Sequence, residues 1–293
     1  MVPAAPNAPA SVAPRGESGV STSKLAGSFV RPPAERVVAI GDLHGDLAAT
    51  KQALRLAGAI DEAGHWSGGK LVVVQTGDVL DRGDEDRLVF DMLQRLRREA
   101  AGAGGALITL SGNHEIMNVA NDLRYVSEGS FDGFGGVTGR QAAFRPGGAY
   151  ARQLAEWPVV VQVGDSVFAH GGILLPHVAY GLDRINREIS AWMLGERAEQ
   201  PAIMLAETAP VWTRLYSAEP SEQDCAQLAQ VLKALSARRM VVGHTPQQRG
   251  ISSACAEQVW RIDVGMSHFY GGTVQVLQVE GEAVRAVIGS KGE

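Results

Sequence analysis

Short apolar runs that stop at a glycine set the rhythm of the chain. Arg36-Val37-Val38-Ala39-Ile40 ends at Gly41, Leu71-Val72-Val73-Val74 gives way to Gly77, and Leu107-Ile108-Thr109-Leu110 to Gly112. Their β-branched content reads as buried strands. Between the first two runs, residues 47–59 read as a helix with Leu47, Leu54 and Gly58 on or near one face. Between the second and third, residues 85–99 set Leu88, Met92 and Leu96 four apart, with Val89 and Leu93 beside them. That is the stripe of an amphipathic helix packed on a sheet. Strand, helix, strand, helix, strand predicts βαβ units and an α/β fold class.

The pattern loosens after the third strand. Residues 128–148 are rich in glycine, carry Phe131, Phe134 and Phe144, and predict a loop-rich cap. Alternation returns at Val159–Val163, and Val167-Phe168-Ala169 beyond Asp165 is its hairpin partner. A mostly helical insertion is expected over 180–235, its last helix lined by Leu228, Val231, Leu232 and Leu235. Met240-Val241-Val242 leads into Gly243. Val259–Val264, Val274–Val279 and Ala283–Ile288 read as antiparallel strands, with Glu280-Gly281 in one turn. Polar motifs spread from residue 42 to residue 244 imply one catalytic domain over 34–293, behind a Pro- and Ala-rich flexible leader over 1–33.

Bulk properties narrow the classes. At 293 residues and 45% hydrophobic content the chain can bury a sizeable core. No run reaches the roughly 18 apolar residues of a membrane span, so no membrane partner is expected. The leader lacks the basic segment and apolar stretch of a secretory signal. Cys225 and Cys255 make neither a disulfide framework nor a Cys-x-x-Cys pair, which is compatible with a reducing compartment and an expected cytoplasmic location. The formal charge of −5 argues against a nucleic-acid binder. It does not argue against a phosphorylated group, because a few arginines and bound cations reverse the field locally. Oligomeric state is not encoded in any of these features.

Five polar segments follow apolar strands: Gly41-Asp42-Leu43-His44-Gly45, Gly77-Asp78-Val79-Leu80-Asp81-Arg82-Gly83, Gly112-Asn113-His114-Glu115, His170-Gly171-Gly172 and Gly243-His244-Thr245. Carboxyl ends of strands gather at one sheet edge, where such loops converge. Asp42 and His44, two apart on a turn, can reach one cation, and Asp78 can give one oxygen to each of two. Asn113, His170 and His244 complete a second shell. Mixed imidazole and carboxylate ligands suit Mn, Fe or Zn, as two divalent or trivalent ions, with Mn the first choice. Such ions, roughly 3.5–4 Å apart, hold a phosphoryl group, lower the pKa of a bridging water and stabilise in-line transfer. His114 is placed to protonate the leaving oxygen, Asp81 to orient it, and Arg82 to fork onto phosphate oxygens. Glu115 fits a supporting role, accepting backbone N–H groups.

Together GDLHG, GDVLDRG, GNHE, HGG and GHT resemble the phosphoprotein phosphatases of the calcineurin-like metallophosphoesterase family. Glu115–Val119, Asp122–Val126 and Ile262–Ser267 are most similar to its bacterial-type Shewanella-like branch, and the likeness covers roughly residues 36 to 270. The resemblance implies a β-sandwich flanked by helices, with a helical or loop cap insertion and the site at one sheet edge. On that pattern the late antiparallel strands form the second sheet. It also implies Asp42, His44 and Asp78 on one metal, Asp78, Asn113, His170 and His244 on the other, His114 as acid with Asp81, and Arg82 on phosphate. A further phosphate-binding arginine is implied between HGG and GHT. Arg214, after Trp212-Thr213, is the candidate, with Arg184, Arg187 and Arg197 in the same interval and Arg124 and Arg140 possible from the cap. Two departures stand out: no SAPNYC-like segment follows the last motif, and Pro246 stands where a third histidine would.

The implied substrate is a phosphorylated protein or peptide. A dinucleoside tetraphosphatase is the alternative within the same chemistry, and an inactive interaction scaffold is the alternative outside it. A nuclease lacks support, since no basic patch interleaved with aromatics is present. Phosphoserine or phosphothreonine against phosphotyrosine depends on pocket depth, shaped by residues 128–148 and 180–215.

Overall fold

Alternation along the strands decides the architecture. In a strand, neighbouring side chains point to opposite faces. Val37 and Ala39 bury into one core cluster while Val38 and Ile40 bury into another. A strand buried on both faces belongs in the middle of a layered structure, and the computed structural model, which describes residues 29–289, builds that structure.

In chain order the elements are β1 (Val30–Arg31), β2 (Val37–Ile40), α1 (Leu47–Leu56), β3 (Val72–Gln75), α2 (Asp86–Gly102), β4 (Ala106–Thr109) and α3 (Asn113–Val119). Three short helices follow, α4 (Glu128–Gly133), α5 (Gly136–Phe144) and α6 (Ala149–Leu154). Then come β5 (Val160–Val163), β6 (Ser166–Ala169), α7 (Leu175–Tyr180), α8 (Leu182–Leu194) and α9 (Glu222–Ala234). The chain closes with β7 (Arg239–Val242), β8 (Ser252–Ala254), β9 (Val259–Arg261), β10 (Gln275–Glu280) and β11 (Ala283–Ile288).

These strands make two mixed sheets, one in the order β11-β10-β2-β3-β4 and the other β1-β5-β6-β7-β9-β8. Ala39, Val74, Val161, Phe168, Val241, Ile262 and Leu277 fill the layer between the sheets. The opposite faces pack under helices, with Val38, Val73, Val167 and Met240 meeting Leu54, Leu93, Ile185 and Val231 in the larger cluster. An α/β sandwich flanked by helices is therefore the observed fold. No helix among the described residues is long and apolar enough to cross a membrane.

Several expectations change in detail. The late strands do not all join the second sheet: β8 and β9 do, but the β10–β11 hairpin returns to the first, where Leu277 pairs with Ala39 antiparallel. Nor is β9 antiparallel to its inner neighbour, since it runs parallel to β7 and only β8 reverses against it. Residues 128–148 fold mainly as helices, because Phe134, Phe144 and Tyr150 supply a packed aromatic cluster despite the glycines. The 180–235 insertion is helical at its two ends, with a single short 3-10 turn at Ala202–Met204 between them. On α2 the buried stripe is Val89, Phe90, Met92, Leu93 and Leu96, while Leu88 is 54% exposed. Of the leader, residues 1–28 lie outside the described residues. Val30 and Arg31 pair parallel with Gln162 and Val163, so the expected leader's last residues belong to a sheet edge. Cys225 and Cys255, expected to make no disulfide framework, form a disulfide across 30 residues that ties α9 to the turn after β8.

Two stability predictions follow from this packing. Closing a 30-residue loop stabilises by roughly 3–4 kcal/mol in the chain-entropy account. The double variant C225S/C255S is expected to lower the urea midpoint accordingly, and reduction of wild type to mimic it. His177 is buried, and its Nδ1 accepts the Leu174 N–H at the start of α7. Burial pushes this imidazole down from 6.5 to about 4, so the folded state keeps it neutral. The unfolded chain takes up the proton first as pH falls, so this stability is complete above about 6.5 and is lost progressively down to about 4. Urea unfolding at pH 5 and pH 7 is expected to differ less in H177Q than in wild type.

Candidate metal centre

Parallel strands bring their carboxyl ends to one place. β2, β3 and β4 are parallel in one sheet, and β6, β7 and β9 are parallel in the other. The loops that leave these six ends carry Asp42 and His44, Asp78, Asn113 and His114, His170, His244, and Asp263. All eight side chains are buried.

Side-chain placement here needs unusual backbone. His44, Asp78, Asp81, Arg82 and His244 all have positive φ, between 46° and 71°, five of the ten non-glycine residues in that region among those described. Left-handed conformations are disfavoured for side chains with a Cβ and cluster where surrounding structure enforces them. Part of the enforcement comes from Glu115, whose carboxylate accepts the N–H groups of Asp78, Val79, Leu80 and Gly112 at 2.7–3.1 Å. Glycine is required at 112 and 243 for a separate reason. A Cβ would lie 2.2 Å from Asp78 Oδ1 at the first position and 2.4 Å from Asp42 Oδ1 at the second.

The ligand atoms fall into two clusters, each with atoms within 4.8 Å of one another: His44, Asp78 and His114, and Asp78, His170 and His244. Asp78 Oδ2 is common to both, 3.8 Å from His44 Nε2, 3.8 Å from His114 Nε2 and 3.2 Å from His170 Nε2. Asn113 Oδ1 lies 2.9 Å from His170 Nε2, and His244 Nδ1 lies 3.1 Å from the same nitrogen. Asp42 is outside both triplets; its carboxylate accepts the His244 N–H, which keeps it at the edge of the site.

Do these donors suit cations? Each histidine outside the Asp81 pair uses its far nitrogen on a backbone carbonyl: His44 Nδ1 on Leu80, His170 Nδ1 on Thr76 and His244 Nε2 on Trp212. That fixes the tautomer and turns the other nitrogen's lone pair inward. Burial lowers His44 to about 4 and His244 to about 3, so both offer neutral imidazole. The carboxylates say the same. Burial raises Asp42 well above its ordinary value, with Asp263 and Asp78 adding to it. Asp263 is pushed up to about 6, chiefly by burial. Neither of these two, nor Asp78, makes a hydrogen bond or ion pair with Arg or Lys among the described residues. Inward lone pairs and crowded buried carboxylates are what bound cations relieve.

Around the clusters, His114 Nδ1 is 2.8 Å from Asp81 Oδ2, leaving Nε2 directed at the site. Burial opposes charge on His114, but Asp78 and the Asp81 hydrogen bond outweigh it, so its pKa is raised. For Asp78 burial acts upward, and the imidazoles of His170, His114 and His44 more than offset it, holding it well below the usual range. The Arg82 guanidinium sits 4.0 Å from the Tyr125 ring centroid and 5.0 Å from that of Phe269, a cation held between two aromatic faces. Arg214 reaches the site loop, donating to the His244 carbonyl and the Thr245 hydroxyl. Arg184 and Arg197 pair with Glu188 on α8, and Arg187 is exposed on the same helix. Arg124 is bound to Asp122 at the surface, while Arg140 is wholly buried behind Asp81.

Some neighbours are given no role by the sequence, although Asn118 and Asp263 lie in segments that carry the resemblance. Asn118 holds Asp81 Oδ1 and is four residues after His114 on α3, a spacing that puts both on one face. Asp263 follows a strand end, as the assigned ligands do, and that position was its signal. Phe269 and Tyr270, 55% and 40% exposed, stand beside Arg82 and His44 without any pattern that marks them.

Residues 35–248 match the family model described as calcineurin-like phosphoesterase. The chain is 41% identical over 286 residues to Shewanella-like protein phosphatase 2 of Arabidopsis thaliana, covering 82% of this chain and 73% of that one. It is 30% identical to Shewanella-like protein phosphatase 1 of Plasmodium berghei, covering 86% and 74%. Among solved structures, the cold-active protein-tyrosine phosphatase of a psychrophilic Shewanella species matches with a TM-score of 0.74 at 25% identity, covering 89% and 82%. With its ligand loops at the strand ends that such a sandwich provides, the chain belongs to the calcineurin-like phosphoesterase family, close to the Shewanella-like protein phosphatase branch.

Proposed function

We propose that this chain is a two-metal phosphoprotein phosphatase that hydrolyses phosphomonoesters in line, with His114 as general acid. The observation that carries the reading is the sharing of Asp78 Oδ2 between two clusters of inward-facing ligands, with the Asp81-bound His114 beside them. His44 and Asp78, with Asp42 at the edge, hold one cation, and Asp78, Asn113, His170 and His244 hold the other. Two cations so placed supply the Lewis acidity that polarises phosphate and makes water a nucleophile near neutral pH. Manganese is the first choice, with iron or zinc as the others, because the donors are nitrogen and oxygen without thiolate.

The protein's own groups do the rest. Arg82, fixed between Tyr125 and Phe269, presents a planar fork to phosphate oxygens, and its buried Nε has no partner within the described protein. Arg214 supplies a second cationic contact from the far side of His244. As an oxygen from water bonds to phosphorus, the bond to the leaving oxygen breaks. That oxygen takes the proton from His114 Nε2, and the imidazole is left neutral, still held through Nδ1 by Asp81.

Protein substrates are supported by the names of the relatives. Phosphotyrosine is supported further by the tyrosine phosphatase among the solved structures and by Phe269 and Tyr270, aromatic faces at the rim against which a phenyl ring can stack. A cytoplasmic location has less support, because the Cys225–Cys255 disulfide favours oxidising surroundings. The site residues expected for an active enzyme are all present, which leaves the inactive scaffold without support.

H114N is expected to lower kcat on phosphopeptides by roughly 10²–10⁴-fold, and D78N by more, since it disturbs both metals. Steady-state kinetics on protein of verified metal content checks this, and undiminished turnover by both would overturn the proposal. After chelation, activity is expected to return with Mn, Fe or Zn and not without metal. In that reconstituted protein, phosphotyrosine peptides are expected to outpace phosphoserine and phosphothreonine peptides and diadenosine tetraphosphate.

A further inference from the structure

Arg140 is a charged side chain near the site that the chemistry above leaves unused. It is carried on α5 into the interior and is 0% exposed. Its fork is fully engaged: Nη2 lies 2.9 Å from Asp81 Oδ1 and 2.8 Å from Asp86 Oδ2, Nε donates to Asn118 Oδ1 at 2.8 Å, and Nη1 donates to the Ser130 hydroxyl at 2.5 Å. Phe134 and Phe144 stand 5.0 Å from its guanidinium carbon. A cation and two carboxylates removed from water together are hard to hold unless they are paired and hydrogen-bonded. Here all three guanidinium nitrogens have partners.

The arrangement has a direction. Asp81 divides its oxygens: Oδ1 takes Arg140 and the Asn118 amide, and Oδ2 takes His114 Nδ1. With Oδ1 held from two sides the carboxylate plane is fixed, and Oδ2 has one orientation to offer the imidazole. Asn118 also donates to the His114 carbonyl, so the guanidinium, the amide and the carboxylate locate both ends of the His114 residue. Arg140 contacts none of the residues assigned to metal or phosphate. Arginine is suited to this task because its planar fork reaches Asp81, Asp86 and Asn118 at once, which an ammonium on a single stem does not.

We infer that Arg140 is a positioning residue for leaving-group protonation: it locks Asp81 so that His114 Nε2 stays aimed at the leaving oxygen. The inference rests on the acid role given to His114 above. It makes Arg140 matter most when the leaving oxygen is strongly basic and needs the proton, and least when that oxygen departs unaided. Phenyl phosphate and p-nitrophenyl phosphate separate the two cases, because they share the phosphoryl group and differ in leaving-group basicity.

The test uses the full, manganese-loaded chain. For R140Q, kcat on phenyl phosphate is expected to fall roughly 30-fold or more while p-nitrophenyl phosphate loses about 3-fold or less, with KM for both within about twofold. R140K, which keeps the charge without the fork, is expected to shift the ratio of the two rates in the same direction by less. The ratio is independent of the fraction of protein folded, because the same molecules turn over both esters. In the H114N background R140Q is expected to change the ratio no further. The zinc-loaded protein gives an independent readout, the downfield imidazole N–H resonance of the His114–Asp81 bond, expected to weaken in R140Q and to vanish in H114N. If H114N slows both esters equally, the acid reading itself fails. If H114N discriminates between them while R140Q and R140K keep the wild-type ratio, the positioning role is overturned and Arg140 only supports the fold. Should R140Q yield no soluble protein, R140K carries the same comparison alone.

Discussion

The carboxylate of Asp78 is the constraint around which the rest is arranged. It is buried, sits at the end of β3 between the two sheets' edges, and faces imidazoles from three other loops. A buried anion left alone is strongly disfavoured. Three imidazoles surround it, and their own far nitrogens are committed elsewhere, so each has one orientation to present. Its backbone is in the left-handed region, and Glu115 grips the N–H groups of residues 78 to 80 from beneath. Removing any of these supports would loosen a residue common to both candidate metal positions. A site built on loops gains precision from that shared restraint, which the sandwich alone does not give.

Much of this was legible in the chain. The runs at 36–40, 71–74 and 107–110 fall on β2, β3 and β4 within a residue or two, because valine and isoleucine runs ending at glycine have few other uses. Strand ends then located the polar segments, and Glu115 could be assigned its supporting role from its place beside Asn113 and His114. What failed had physical causes. Hydropathy cannot say which sheet a hairpin joins, and β10 joins β2 because Leu277 and Val279 complete the layer between the sheets. Glycines at 129, 133, 135, 136 and 139 argued for loops, yet the aromatic cluster of Phe134, Phe144 and Tyr150 outweighs their weak helix propensity. Two cysteines 30 residues apart carry no spacing signal, and only the packing of α9 beside the β8–β9 turn brings them together.

Arginine was the least legible residue type. Beside Arg82, which its motif marks, six arginines are candidates for phosphate contact, and the fates of these residues differ entirely in space. Arg82 is stacked between aromatic rings at the site. Arg214 is anchored on the His244 loop, and Arg184 and Arg197 serve Glu188 at the surface. Arg140 has gone to the other side of His114, where it faces carboxylates instead. Charge alone predicts none of this, because a guanidinium stacks, forks or spans with equal ease.

That difference bears on the cap. A surface insertion over the site can be read as a lid whose only task is to shape substrate access. Here α4 and α5 do something more restrictive. Ser130 on α4 and Arg140 on α5 both enter the network that contains Asp86 on α2 and Asp81 on the site loop. Two cap helices, a flanking helix and an active-site loop are therefore joined through one buried ion cluster. Displacing the cap would strand Asp81 and Asp86 without their counter-charge in a dry interior, a state that burial opposes strongly. The cap is part of the site's foundation, whereas Phe269, Tyr270 and the irregular stretch before Arg214 stand outside that ion cluster.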